Sequence, residues 1–197
     1  AVYESPQMNG ILSGVQNLNY TLEMRRPALL FGTIFSTDAW SVFAEINKLV
    51  TEGVDIINIS NGSPYLPGVH DIWFLQAFSV LDDVLFVVSA GNDDSSVSRF
   101  KLGGQTPANY GESFNNVITV GATKLDDSRV SFSNFGSAVN IAAPGELIYA
   151  PAPRGKGNFP VDTKDYDNSF GGTSASAPMV TGVAGLIKAI KPSLIPA

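Results

Sequence analysis

The chain has no cysteine and a single histidine, His70, among its 197 residues. Disulfides and thiolate metal sites are thereby excluded, and a zinc centre would lack the nitrogen and sulfur ligands it needs. Charge is also sparse, with 15% of residues charged against 44% hydrophobic. That balance belongs to an ordered, heavily buried chain rather than a disordered one. The charges sum to -6 at pH 7, which disfavours nucleic acid as a partner. No apolar run reaches the roughly 18 residues of a membrane-spanning helix. Neither a Gly-Lys-Ser/Thr loop nor a G-x-G-x-x-G stretch is present, so nothing marks a phosphate site. Residues 1–7 lack the basic and apolar regions of a signal peptide, and there is no initiator Met. The expectation is a fragment or a processed piece.

What the sequence does contain is an alternation of apolar runs and helical patterns. Ala28 to Phe35, Val54 to Ser60, Val84 to Ser89, Val117 to Thr123 and Val139 to Ala143 read as buried strands. Between them, residues 39–51 carry Trp40, Phe43, Ala44 and Val50 at helical spacing, with Thr37 or Asp38 as cap. Residues 70–82 carry Ile72, Leu75, Gln76, Ser79 and Val80 on one face, with Trp73 and Phe74 beside them. Asn61-Gly62-Ser63-Pro64 is a turn cluster, 93–116 a polar loop, and 151–172 a Pro-, Gly- and Asp-rich approach to Ser174. Strands alternating with helices predict an α/β fold, a mostly parallel sheet flanked by helices, in one domain.

The stretch Gly171-Gly172-Thr173-Ser174-Ala175-Ser176-Ala177-Pro178 opens an apolar run that continues to Ile190. Met179, Val180, Val183, Ala184, Leu186, Ile187 and Ile190 lie on every side of a helix there, which predicts one buried all round. Pro178 is expected within the first turn, where its missing N–H is no loss. Ser174 at the helix mouth suits two roles. It can cap the helix, or it can sit beside unpaired amide donors as a nucleophile whose product charge they stabilise. In an open parallel sheet, ligands meet the loops at the carboxyl ends of strands. Ser60-Asn61-Gly62 and Ser89-Ala90-Gly91-Asn92 are breaks of that kind.

Gly-Thr-Ser-x-Ser-x-Pro resembles the nucleophile segment of the subtilisin-like serine proteases, the subtilases. The resemblance extends in order over residues 28–192, leaving 1–27 unassigned, and implies a subtilisin-like domain incomplete at its N-terminal side. It implies Ser174 as nucleophile and Asn92 as oxyanion-hole donor, acting with the Ser174 N–H. It also implies that Ser60, Asn61 and Gly62 grip an extended polypeptide, with Ala90, Gly91, Thr106, Pro107 and Ala108 lining a pocket. Gly172 and Thr173 join that substrate-binding set, and Ala142-Ala143-Pro144-Gly145 matches a structural turn. Secretion or a periplasmic location is what the family suggests.

One feature of the family is missing. Its Asp-Ser/Thr-Gly and His-Gly-Thr-His motifs occur nowhere in these residues, although a serine nucleophile needs a base and a carboxylate to orient it. His70 stands outside any such context and reads as a surface or capping residue. The expectation is a chain that supplies nucleophile, oxyanion hole and substrate segments, and is inactive alone. Its all-round apolar helix predicts an exposed apolar face met by the rest of the domain or by self-association. Two rivals stand beside this reading. The sedolisins share Gly-Thr-Ser-Ala-Ser but carry an acidic residue in the place of Asn92, and a non-catalytic relative would bind peptides without cleaving them. No cofactor is expected. Asp126, Asp127, Asp162, Asp165 and Asp167 are oxygen donors of the kind Ca²⁺ takes, but no spacing fixes a metal site.

Overall fold

The apolar runs pair side by side. In the computed structural model, which describes residues 39–65, 71–98, 104–151 and 166–196, β1 (Ile56–Ile59), β3 (Leu85–Ser89), β5 (Val117–Thr123) and β6 (Ile141–Pro144) form a parallel sheet in that order. The expected strand Ala28–Phe35, the cap at Thr37 or Asp38, and His70 lie outside the described residues. Labels follow chain order. They include α1 (Ala39–Thr51), β2 (Ser63–Pro64), α2 (Asp71–Val80), β4 (Gln105–Thr106), β7 (Ile148–Pro151), β8 (Tyr166–Phe170) and α3 (Thr173–Ile190).

Period-two alternation sends β3 side chains to opposite faces. Phe86 and Val88 enter a core with Ile46 of α1 and Phe74, Ala77 and Phe78 of α2. Val87 meets Val120 and Ala177 of α3 on the other face. All three β3 residues are 0% exposed, as a central parallel strand between two helical layers requires. Phe78 centres the larger core, with ring centroids 4.8 Å from Phe86 and 5.7 Å from both Tyr110 and Phe114. We expect Phe78→Ala to destabilise the fold by about 3–5 kcal/mol, through lost burial and the cavity left behind. Urea unfolding measures this, and a loss under about 1 kcal/mol would show that the cluster can collapse around the gap.

Four expectations need correction. On α2 the buried stripe is Phe74, Ala77 and Phe78, whereas Ile72 and Val80 are 62% and 68% exposed; Ala44 of α1 is exposed as well. Spacing gave the helices, but the packed face is the one meeting Phe86 and Tyr110. Ser63–Pro64, read as a turn, pairs antiparallel with Gln105–Thr106 inside the expected loop. Tyr166–Phe170, inside the stretch 151–172 read only as a Pro-, Gly- and Asp-rich approach to Ser174, is a strand paired antiparallel with Ile148–Pro151. Finally, α3 is not enclosed all round. Thr173, Ala175, Ser176 and Ala177 are buried, but Val183, Ile187 and Ile190 are 49%, 48% and 84% exposed. Its first turns cross the sheet and its outer stripe faces away from the described residues.

Candidate active site

The carboxyl ends of β1 and β3 and the N-terminus of α3 converge, and each brings one of the loops singled out by sequence. α3 starts at Thr173, capped by the backbone of Gly172, whose φ of 106° lies in the left-handed region that favours glycine. Ser174 is therefore the second helical residue rather than the cap. No hydrogen bond from its N–H is formed among the described residues, as for the first amides of any helix.

Asn92 is locked to that helix mouth through its oxygen. Its Oδ1 accepts from the Thr173 N–H at 2.8 Å and from the Thr173 hydroxyl at 3.0 Å. The Thr173 Oγ1 in turn accepts from the Gly91 N–H at 3.1 Å. With Oδ1 doubly held, the amide's orientation is fixed and Nδ2 is left over. It makes no hydrogen bond among the described residues. A Cβ on Gly172 would stand 3.3 Å from Nδ2, so the absence of a side chain there keeps this donor open. An open amide beside a helix N-terminus suits a developing oxyanion.

Ser60 and Ser174 clasp one another. The Ser60 hydroxyl donates to the Ser174 carbonyl at 3.1 Å, and the Ser174 hydroxyl donates to the Ser60 carbonyl at 3.2 Å. Pro178 explains the first bond. It lies inside α3 and beyond its first turn, contrary to expectation. Having no N–H, it cannot bond the carbonyl four residues back, which is that of Ser174. Ser60 supplies the missing donor. Further along, the Asn58 amide donates to Ser60 Oγ at 2.9 Å, and the Thr181 hydroxyl donates to Asn58 Oδ1 at 3.1 Å. In this arrangement the Ser174 proton points at a carbonyl, which cannot remove it.

The expected pocket residues fall into two groups. Ala90, Thr106 and Ala108 are 0%, 1% and 1% exposed, and Pro107 is buried with them beneath the loops. The side chain lying between Gly62 and Gly91 is Gln105, which sequence reading did not single out. A Cβ on Gly62 would meet its Oε1 at 2.9 Å, and one on Gly91 its Cγ at 2.7 Å. Gln105 Nε2 donates to Asp93 Oδ2 at 2.8 Å. Asn61 stands between Ser60 and Gly62 at the end of β1, exposed. Among the described residues no cluster of His, Cys, Asp and Glu is placed to hold a metal. Asp126 is engaged by Ser128 instead, whose hydroxyl and N–H hold its carboxyl below the usual carboxylate range.

Known proteins share this arrangement of sheet, helix and motif. Residues 28–197 match the model of the subtilase family. Thermitase of Thermoactinomyces vulgaris is 42% identical over 149 residues, 75% of this chain and 46% of that protein. Subtilisin DY of Bacillus licheniformis is 30% identical over 154 residues, 78% of this chain and 50% of that protein. The chain thus spans about half the length of these relatives. A solved cold-adapted subtilisin-like serine proteinase superposes with a TM-score of 0.61 at 26% identity, covering 82% of this chain and 52% of that one. Sequence motif, parallel sheet and these matches agree: the chain belongs to the subtilase family.

Proposed function

We propose that the complete polypeptide containing this chain is a serine endopeptidase that cleaves extended peptides through an acyl-enzyme. Ser174 is the nucleophile, and Asn92 Nδ2 and the Ser174 N–H receive the oxyanion. Ser60, Asn61, Gly62, Ala90, Gly91, Thr106, Pro107, Ala108, Gly172 and Thr173 shape the channel for the substrate. The observation that carries this reading is the pair of hydrogen bonds that Thr173 donates to Asn92 Oδ1, which leaves Nδ2 without a hydrogen bond among the described residues. A capping role for Ser174 would leave that arrangement without a purpose.

Residues 1–197 contain neither triad-partner motif, so the general base comes from polypeptide outside them, and these residues alone are inactive. Asn92 argues against the acidic oxyanion residue of the sedolisins. Treating the complete polypeptide with a fluorophosphonate and mapping the label by mass spectrometry tests the reading. Label on Ser174 supports it; a folded polypeptide that takes no label favours a peptide-binding relative without catalysis. Secretion or a periplasmic location is part of the same proposal and rests on the family alone.

The outer stripe of α3, with Val183, Ile187 and Ile190 about half or more exposed, sets a further expectation. Residues 1–197 produced alone will bind a hydrophobic dye or self-associate, because contiguous exposed apolar side chains mark surfaces that associate. A monodisperse monomer with no dye fluorescence would contradict it.

A further inference from the structure

We infer that Asn134 is a positioning residue for the Asn92 donor, an inference resting on the oxyanion role proposed above. Asn134 is 1% exposed and lies some 40 residues along the chain from the loop it serves. Its Oδ1 accepts from the Asp93 N–H at 3.0 Å and from the Ser95 N–H at 2.9 Å. Its Nδ2 donates to the Ala90 carbonyl at 2.9 Å and to Asp93 Oδ2 at 3.4 Å, and its own N–H donates to the Gly91 carbonyl at 3.0 Å. One buried amide side chain thus holds the peptide groups on both sides of Asn92, while Asn92 itself is left to Thr173. The site also dictates Gly91: its φ is 100°, and any Cβ there would overlap the Asn134 amide. A buried primary amide matched to two N–H donors, one carbonyl and one carboxylate oxygen leaves the loop little freedom.

Oxyanion donors act through placement, and a misplacement of about 1 Å can cost about 100-fold. The test is a double-mutant cycle on peptide hydrolysis by the complete polypeptide, with Asn134→Asp, Asn92→Ala and both together. Asn134→Asp keeps the oxygen that Asp93 and Ser95 bond, removes the donor shared by the Ala90 carbonyl and Asp93 Oδ2, and sets a carboxylate oxygen against both. It guards against a failure of Asn134→Ala to fold, and thermal melts establish that each variant is folded. The expected result is a kcat lowered about 10- to 100-fold by Asn134→Asp with KM changed less than about threefold. In the Asn92→Ala background the same substitution costs less than about threefold more. Equal losses in both backgrounds, a change confined to KM, or wild-type kcat in Asn134→Asp would each overturn the positioning role. If Asn92→Ala leaves kcat unchanged, or no hydrolysis depends on Ser174, the proposed function fails first and this inference with it.

Discussion

Ser174→Ala is expected to abolish fluorophosphonate labelling of the complete polypeptide and to lower kcat for peptide hydrolysis by about 10⁶-fold, as removal of the nucleophile does in subtilisin itself. The size follows from what is lost. On the proposed mechanism, without the hydroxyl no acyl-enzyme would form, and only binding and the oxyanion stabilisation proposed for Asn92 and the helix mouth would persist, worth roughly 10³–10⁴-fold over water. The substitution should be gentle on the fold. Ser174 is half-buried, and its hydroxyl makes one bond, to the Ser60 carbonyl; the reciprocal bond from Ser60 goes to backbone and survives. Equal labelling of the variant would place the reactive group elsewhere and remove Ser174 from the chemistry.

The second large effect belongs to Asn92. Asn92→Ala should lower kcat by about 10²–10³, the cost of losing one oxyanion donor in subtilisin, with a much smaller change in KM. The split matters because the amide is expected to bond the transition state more strongly than the substrate. It also separates this role from a structural one. Deleting the Asn92 side chain leaves the N–H and hydroxyl of buried Thr173 without their acceptor, so stability should fall by about 1–3 kcal/mol as well. It is the kcat loss in a variant still folded at the assay temperature that marks the oxyanion role. A variant with unchanged kcat and a lowered melting temperature would make Asn92 a brace and nothing more.

Much of this site was legible because its parts are written locally. A small-residue segment ahead of an apolar helix marks Ser174, and an apolar strand broken by Ala90-Gly91-Asn92 marks the loop that carries the proposed donor. Strand runs such as Leu85–Ser89 announce themselves through unbroken β-branched and aromatic composition. Illegible were features whose cause lies far along the chain. Ser63–Pro64 and Gln105–Thr106 are two residues each, too short for any periodicity, and exist only as partners. Gln105 and Asn134 are ordinary polar residues until the fold sets them against Gly62, Gly91 and the loop of Asn92. The apolar circumference of α3 gave its composition correctly. It could not tell which side of the helix other described residues would cover.

Helix interiors seldom tolerate proline, because one rung of the ladder goes missing. In α3 the vacant rung is filled from the end of β1, 114 residues earlier in sequence. The peptide unit of Ser174 is thereby tied sideways into the sheet, and not merely stacked along its own axis. Motion at the uncovered far end of the helix, where Ile190 stands open, meets this cross-tie before it reaches the serine. The spacing between the strand that would hold a bound peptide and the hydroxyl that would attack it is therefore set by two backbone carbonyls, the least pliable atoms available.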